Sequence, residues 1–160
     1  MLNIQISGDQ ALIARLQAMP DAVRKKLLAK VTSLAFQLER KIKGDKLSGQ
    51  VLNVRTGKLR ASIHSSAEQN ETSTIGKAAS SGDVKYAAIH EFGGTINIPE
   101  IVARGKALAF MQNGKMAFYK KVAAHTVTMP ERSFMRSSLA DMKDQIIQEM
   151  TEAVREGARQ

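Results

Sequence analysis

An apolar stripe at helical spacing constrains the fold of this chain more than any other feature. Hydrophobic residues recur at steps of three and four at Leu12, Leu16, Met19, Val23, Leu27, Val31, Leu34, Leu38 and Ile42. This spacing predicts one face of a long amphipathic helix. Because Pro20 lacks an amide donor while the stripe keeps its phase, we expect a short helix that runs into a long one with a kink. Such a helix must bury its apolar face on a sheet or a neighbouring subunit.

Alternating patterns predict several strands around this helix. Strands are predicted at residues 2–6, 61–65, 74–79, 96–98 and 122–127. Ile63 is expected to face inward, and the polar residues 67–74 are expected to form a loop and the first half of a hairpin partner. Gly57 should supply the unusual backbone angles of a turn at Arg55-Thr56-Gly57. Pro99 should end the strand before it or hold that strand at a sheet edge.

The clearest local signal is the dipeptide Asn113-Gly114, which lies between apolar alternations in residues 107–118. Asn-Gly is the preferred pair for a type I′ turn, so a β-hairpin is predicted here. A second amphipathic helix is predicted from Ser133, with an apolar stripe at Leu139, Met142, Ile146, Met150 and Val154.

This element order predicts an α+β fold. We expect one domain over residues 1–160, in which an antiparallel sheet packs against the long N-terminal helix and the C-terminal helix. The β-hairpin would belong to an insertion at about residues 95–128.

Composition excludes several kinds of site. The chain has no cysteine, so disulfides, thiolate zinc sites, iron–sulfur clusters and a cysteine nucleophile are excluded. The N-terminus lacks the basic and then apolar pattern of a secretion signal, and no run is long enough to span a bilayer. We therefore expect a protein without a membrane association, made and used in the cytoplasm.

The formal net charge of +9 is unevenly distributed. Residues 20–46 hold eight basic and three acidic side chains, and residues 101–121 hold five basic and no acidic ones. Residues 131–160 hold five basic and six acidic side chains. A polyanion, an acidic protein surface or simply a solvated basic face would each explain this pattern, and the last is the interpretation we favour.

The pair His90-Glu91 is the combination most suggestive of catalysis. No second histidine follows at helical spacing, and His64, His90 and His125 stand in separate segments. Gly57-Lys58 fails the phosphate-loop pattern, because the preceding glycine is too distant and Leu59 replaces the hydroxyl residue. We therefore expect no catalytic residue, no metal and no cofactor.

Three segments together resemble a known family. They are VRTGKLRASI at 54–63, YAAIHEFGG at 86–94 and MPERSFMRSSL at 129–139. In this order they resemble the tailed-bacteriophage head–tail joining and tail-completion family, which includes minor tail protein Z-like and phage virion morphogenesis proteins. The matching positions are Arg55, Thr56, Gly57, Leu59, Ser62, Ile63, Tyr86, Ala87, Glu91, Phe92, Gly93, Pro130, Arg132 and Phe134. Ser133 replaces the family's usual second proline, and residues 95–128 look like an insertion.

The resemblance implies a structural virion protein and not an enzyme. Its subunits would form a ring, with six copies expected, that completes the tail or joins it to the head connector. Partners would be further copies, connector or adaptor proteins, and tail-tube or terminator proteins, close to the DNA path. The alternative, from a different class, is a small basic nucleic-acid-binding protein.

By this resemblance the stretch around His90-Glu91 is structural. Tyr86, Ala87, Ile89 and Phe92 would be packing residues that lead into a strand, and Gly93-Gly94 would reverse the chain. We hypothesise that Glu91 makes a charge-assisted hydrogen bond with Arg55 or Arg132.

Overall fold

Helix α1, Asp21–Gly44, carries the predicted apolar stripe into the core. Its buried side chains are Val23, Leu27, Val31, Leu34, Ala35, Leu38 and Ile42. The structure, a computed structural model, describes residues 3–5 and 21–158. The predicted short helix before Pro20, and the kink there, lie outside the described residues.

A three-stranded antiparallel sheet packs against α1. Its strands are β1 (Asn3–Gln5), β2 (Ile63–Gln69) and β3 (Thr74–Ser80), in the order β1-β3-β2. The predicted strands near residues 2–6 and 74–79 are confirmed, and Ile63 is fully buried. The predicted limits of the strand at 61–65 were wrong. Of residues 67–74, residues 67–69 belong to the hairpin strand β2 and Thr74 begins β3, so the predicted loop is shorter than expected. A short helix α2, Lys58–Ala61, precedes β2, and β2 continues to Gln69.

The side chain of Asn70 explains why the loop between β2 and β3 is so short. Its Oδ1 accepts hydrogen bonds from the backbone amides of Thr72 and Ser73. The backbone amide of Asn70 itself donates to the carbonyl of Ser73. These bonds close a tight turn over residues 70–73, so residues 67–69 remain free to pair with β3.

The outer edge of β2 is partly covered by Glu39 on α1. The Glu39 carboxylate accepts hydrogen bonds from the backbone amide and the hydroxyl of Ser65, at 2.8 and 2.6 Å. Burial raises the pKa of Glu39, but hydrogen bonds from Lys43 and Ser65 outweigh burial and hold this pKa below its usual value. An edge strand with an occupied amide is a poorer template for unintended strand pairing.

The C-terminal segment forms two helices, α4 (Met135–Asp141) and α5 (Lys143–Gly157). The prediction of one continuous helix from Ser133 was wrong, because the chain bends at Met142, whose ψ is 0°. Apolar periodicity survives such a bend, so the sequence pattern could not show it. Phe134 and Met135 are fully buried and join the core around Ile42 and Ile63.

Helix α5 runs antiparallel to α1, and ion pairs connect the two helices. Lys30 Nζ lies 3.1 Å from a carboxylate oxygen of Glu149, and Lys26 Nζ lies 3.4 Å from one of Glu156. The two helices also share the buried side chains of Val23, Leu27 and Ala153. The apolar contact supplies most of the stability here, because exposed ion pairs typically contribute about 1 kcal/mol or less.

Residues 94–129 form a two-stranded antiparallel ribbon, here called the arm. Its strands are β4 (Gly94–Ile98), β5 (Ile101–Val102), β6 (Leu108–Gln112), β7 (Lys115–Tyr119), β8 (Lys121–Val122) and β9 (His125–Met129). They pair in nested order, β4 with β9, β5 with β8 and β6 with β7. The predicted turn is confirmed, because Asn113 and Gly114 both have positive φ, at 50° and 77°. The predicted strand over residues 122–127 is instead split between β8 and β9.

The interruptions of the arm have physical causes. Pro99 ends β4 as predicted, because it has no amide to donate, and the opposite residues Ala123 and Ala124 are unpaired as well. The register is constant from Gly94↔Met129 to Val102↔Lys121. It then shifts to Leu108↔Tyr119, because residues 103–107 bulge out opposite Lys120. The fold is thus the predicted α+β arrangement, with helices on one sheet and a long β-arm.

Substitution of Gly76 tests the close approach of the sheet to α1. A Cβ on Gly76 would lie 3.0 Å from Cγ1 of Val31 and 3.3 Å from Cβ of Ala35. We expect Gly76→Val to lower the free energy of unfolding by about 2 kcal/mol, because the added methyl groups overpack this contact. Urea titration followed by circular dichroism measures the effect.

The matched control is Gly82→Val, where an added Cβ meets nothing within 4 Å. This variant should stay within about 1 kcal/mol of the wild type. Equal stability losses in the two variants would contradict the close helix–sheet contact.

Candidate functional site

The second motif forms a short helix, α3 (Ala87–Phe92). The prediction that Tyr86, Ala87, Ile89 and Phe92 are packing residues that lead into a strand was wrong for Tyr86 and Phe92. Only Ala87 and Glu91 of this helix are buried, one turn apart, whereas Tyr86 and Phe92 are exposed. The helix therefore turns Ala87 and Glu91 inward.

The carboxylate of Glu91 caps the N-terminus of α4. Its Oε2 accepts hydrogen bonds from the backbone amides of Phe134 and Met135, both at 2.8 Å. Its Oε1 accepts bonds from the backbone amide of Arg136 and the hydroxyl of Ser133, both at 2.9 Å. The first amides of a helix have no partner within it and carry partial positive charge, so an anion is stabilised there. The cap comes from a residue more than forty positions earlier.

Arg136 is the cationic partner of Glu91. The Nε of Arg136 donates to Glu91 Oε1 at 3.1 Å, and a terminal nitrogen of the same guanidinium donates to the backbone carbonyl of Glu91 at 3.0 Å. The guanidinium also bonds to Glu131 at 2.7 Å and lies 4.7 Å from the centre of the Phe92 ring. The hypothesis that Arg55 or Arg132 pairs with Glu91 was therefore wrong.

The same region holds both ends of the arm. The backbone amide of Arg132 donates to the carbonyl of His90 at 2.8 Å, which joins the chain entering β4 to the chain leaving β9. Gly93 has a φ of 67°, and a Cβ there would lie 2.7 Å from the amide nitrogen of Glu131. The predicted reversal at Gly93-Gly94 is confirmed by positive φ at both residues. Residues 90–94 and 129–136 are called the arm root below.

His90 belongs to this root and shows no catalytic arrangement. Its Nδ1 is buried and has no hydrogen-bond partner among the described residues, and its ring meets Tyr86 edge to face. Burial, and after it the positive charge of Arg132, holds the pKa of His90 below its ordinary value. The Glu91 carboxylate faces five donors and has no exposed surface, so it contacts no ligand in this conformation.

The first motif divides into buried and exposed residues. Gly57 has a φ of 75° and opens α2, as its turn prediction required, and Leu59 packs at the margin of the core. Ser62 is buried and shares a hydrogen bond of 2.9 Å with the Ser80 hydroxyl. Arg55 and Thr56 are exposed, as are Pro130 and Arg132 of the third motif. The three motifs thus supply the arm root, the core and exposed turns.

Exposed apolar side chains are concentrated in the arm. The large ones are Ile96, Ile101, Val102, Phe110, Met111, Met116, Phe118 and Tyr119. Because side chains alternate along a strand, these residues occupy both faces of the ribbon. Isolated two-stranded ribbons are marginally stable in water, so exposed apolar surface on both faces indicates an interaction surface.

A second feature that sequence reasoning missed is an open groove of about 830 Å³ beside the C-terminal half of α1. Its lining includes the exposed Phe36 and the cations Arg40 and Arg60. The acidic side chains in the lining, Glu39, Asp45 and Asp141, are each ion-paired with a lysine. The groove forms where α1, α2, α4 and α5 lie close together in space, so no local sequence signal predicts it.

Most lysines of α1 are neutralised within the fold. Lys26, Lys30, Lys41 and Lys43 each form an ion pair with a carboxylate of the same chain. Among the residues that the structure describes, no three potential metal-ligating side chains lie close enough to hold an ion. None of the described helices has the length and apolarity that a bilayer crossing requires.

Replacement of Glu91 tests the helix cap. We expect Glu91→Gln to lower the free energy of unfolding by about 3 kcal/mol, because the amide group places donors against the unpaired amides of α4 and removes the partner of Arg136. The melting temperature should fall by about 10 °C. Differential scanning calorimetry measures both quantities.

Glu131→Gln is the matched control, because Glu131 bonds to the same guanidinium but is exposed. This change should cost less than about 1 kcal/mol. A Glu91→Gln protein as stable as the Glu131→Gln protein would rule out a structural role for the cap.

Comparison with known proteins places the chain in a family. A family model described as phage virion morphogenesis matches residues 31–156. No curated protein and no solved structure gives a significant match. The matched span includes α1 from Val31 onward, the sheet strands β2 and β3, the arm and all three motifs. The chain therefore belongs to the phage virion morphogenesis family.

Proposed function

We propose that this protein is a structural virion component of the phage neck or tail end. Its subunits form a ring, expected to contain six copies, that completes the tail or joins it to the head connector. The protein is made in the cytoplasm of the bacterial host and ends in the virion. The observation that carries this proposal is a firmly rooted arm with exposed apolar side chains on both faces, in a member of this family.

The arm and the body provide the two kinds of surface that a ring requires. A closed ring is built from head-to-tail contacts, in which one surface of a subunit meets a different surface of the next. The arm root fixes the direction of the arm relative to α4 through Glu91, Arg136 and the His90–Arg132 backbone bond. Further surfaces, such as the groove at Phe36, remain for connector, adaptor, tail-tube or terminator proteins.

The proposal assigns no catalytic role, metal or cofactor. Glu91, the carboxylate that the sequence places beside a histidine, is enclosed and bonded to a helix terminus. His90 has no hydrogen bond to it among the described contacts and faces Tyr86 instead. Packing and hydrogen bonding in the arm root explain why His90 and Glu91 stand side by side. No catalytic role is needed to explain the pair.

The alternative of a dedicated nucleic-acid-binding protein has less support. Affinity for DNA depends on free Lys and Arg that can replace counterions at phosphates. Four of the lysines on α1 already have carboxylate partners, so fewer basic side chains of this helix are available to a phosphate backbone than their number suggests. DNA passing through a ring would experience a diffuse positive field and no specific contact.

Removal of the gene from its phage tests the proposed function. We expect non-infectious lysates in which electron microscopy finds either separate heads and tails, indicating a joining role, or overlong tails, indicating length termination. Complementation with the wild-type gene is the control. Infectious, complete particles that lack the protein would contradict a structural role at the neck or tail end.

A salt titration of DNA binding distinguishes the proposed neck or tail-end protein from the alternative nucleic-acid-binding protein. For the neck protein we expect weak binding to duplex DNA near physiological salt, in the range of non-specific complexes with a Kd of about 10⁻⁴ to 10⁻⁶ M. Fluorescence anisotropy with a labelled duplex measures it. Nanomolar binding with a steep negative salt slope would favour the alternative.

A further inference from the structure

One face of α1 makes the floor of the groove at Phe36. Phe36, Arg40 and Gly44 follow one another at steps of four residues, so they lie on the same side of the helix, and all three line the groove. Phe36 is 58 % exposed, although phenylalanine is usually buried. A Cβ on Gly44 would meet nothing within 4 Å, so the floor beyond Arg40 is open as well.

Other elements flank this floor on both sides. On one flank of α1 the amide of Gln37 bonds to that of Gln145 on α5, with an N–O distance of 2.7 Å. On the opposite flank Glu39 bonds to Ser65 of β2. Helix α2, which carries Arg60, leads into this strand, and Arg60 lines the groove. The groove therefore runs along α1 between α2 and the C-terminal helices.

Two cations of the groove have no carboxylate partner within the described residues. Each acidic side chain of the lining is bonded to a lysine. A hydrogen bond from Lys46 holds the pKa of Asp141 below its ordinary value, so this carboxylate stays charged and its lysine stays occupied. Arg40 and Arg60 are exposed, and the closest bond of the Arg60 guanidinium is to the Ser48 hydroxyl at 3.3 Å. The free charge of the groove is thus positive and is carried by guanidinium groups.

This combination of groups fits a carboxylate beside an apolar side chain. A guanidinium presents paired N–H donors that match the two oxygens of a carboxylate. Aromatic residues and arginine are also enriched in protein–protein interfaces. The negative end of the α1 dipole opposes an anion here, but it is weaker than a charge-assisted bond from arginine. The groove therefore favours an acidic polypeptide segment with an apolar residue.

Two other occupants fit the groove less well. Duplex DNA presents phosphates on its outside and no apolar side chain for Phe36, and its phosphates would meet the half-exposed carboxylates of Asp45 and Asp141. A second copy of the chain carries a formal net charge of +9, so its surface on average repels the free arginines. A different protein with an acidic segment has neither disadvantage.

We propose that the Phe36 groove binds an acidic segment of another virion protein. Carboxylates of that segment accept hydrogen bonds from Arg40 and Arg60, and an apolar side chain beside them covers Phe36. This inference rests on the proposed function and names the chemistry of one neighbour at the neck or tail end. It assigns that neighbour to the body of the subunit and leaves the arm for other contacts.

Photo-cross-linking in phage-infected cells identifies the occupant. Phe36 is replaced by p-benzoylphenylalanine, the variant gene complements a phage that lacks the gene, and purified particles are irradiated and analysed by mass spectrometry. We expect the linked peptide to come from a different virion protein and to hold more Asp and Glu than Lys and Arg. The same photoreactive residue at Val54, which is exposed but does not line the groove, is the control and should not link to this peptide.

Charge reversal tests whether the arginines hold the segment. Adding Arg40→Glu and Arg60→Glu should lower the yield of the same cross-link per chain in the infected-cell lysate at least about tenfold, because like charges then meet. Lys25→Glu with Lys85→Glu is the matched control, since it changes the net charge equally at exposed residues outside the groove. This pair should leave the yield unchanged. Circular dichroism should show a native fold for both proteins.

Reciprocal substitution gives a rescue that a merely unfolded variant could not show. Once the linked peptide is known, changing its acidic residues to lysine should weaken the cross-link to the chain with both native arginines. The same change should restore the cross-link to the chain that carries Arg40→Glu and Arg60→Glu.

Several outcomes would overturn the inference. They are a linked product with DNA or with a second copy of the chain, a linked peptide without acidic excess, no linked product in complete particles, equal yields from the groove and control variants, and a reciprocal change that restores nothing. If phage without the gene still shows the neck or tail defect, such results reject the groove contact and leave the proposed function standing. Complete, infectious particles without the gene would instead reject the proposed function.

Discussion

A single buried carboxylate connects the parts of this molecule. Removing a charge from water costs several kcal/mol, and that cost is offset only when hydrogen bonds and an opposite charge surround the group. Glu91 meets this condition through three backbone amides, a hydroxyl and a guanidinium. All of them come from the start of α4, so the orientation of α3 is tied to that of the C-terminal helices. The arm lies between these two elements in the chain. The contacts of the carboxylate therefore hold the two ends of the arm together at the arm root.

Much of the framework follows from the sequence. The stripe from Val23 to Ile42 predicted α1 and its buried face, because its helical periodicity is a strong local signal. Asn113-Gly114 predicted the tip of the arm, because this pair of residues strongly favours a type I′ turn. The burial of Ile63 followed from the alternation of apolar and polar residues. The chain reversal at Gly93-Gly94 followed from the conformational freedom of glycine.

The errors lie where the deciding interaction is distant or the element is short. Arg136 is four residues beyond Arg132 in the sequence, and only the fold shows which of the two reaches Glu91. Helix α3 has six residues, too few for a periodic signal, so Tyr86 and Phe92 were predicted to be packed although they are exposed. The short helix α2 was missed for the same reason, whereas the bend at Met142 was missed because the apolar periodicity continues across it. The Phe36 groove depends on elements far apart in the chain.

The resulting molecule combines a well-packed body with an arm that the subunit itself leaves uncovered. Family membership shows a role in phage virion morphogenesis, and the proposed assembly follows from the contrast between the two parts. Two ion pairs join α1 to α5, and two further lysines of α1 pair with carboxylates elsewhere in the same chain. The charges on the arm are mostly free, so the arm is well suited to recognise a partner by charge and apolar contact.

Amide hydrogen exchange, compared between the free subunit and the protein in purified phage particles, tests the central claim most directly. The account predicts slow exchange at residues 134–136 in both states, because Glu91 holds these amides. Exchange in residues 108–119 should be fast in the free subunit and strongly slowed in the particle. Fast exchange at 134–136 in the free chain, or an arm equally unprotected in both states, would contradict an anchored arm that becomes covered on assembly.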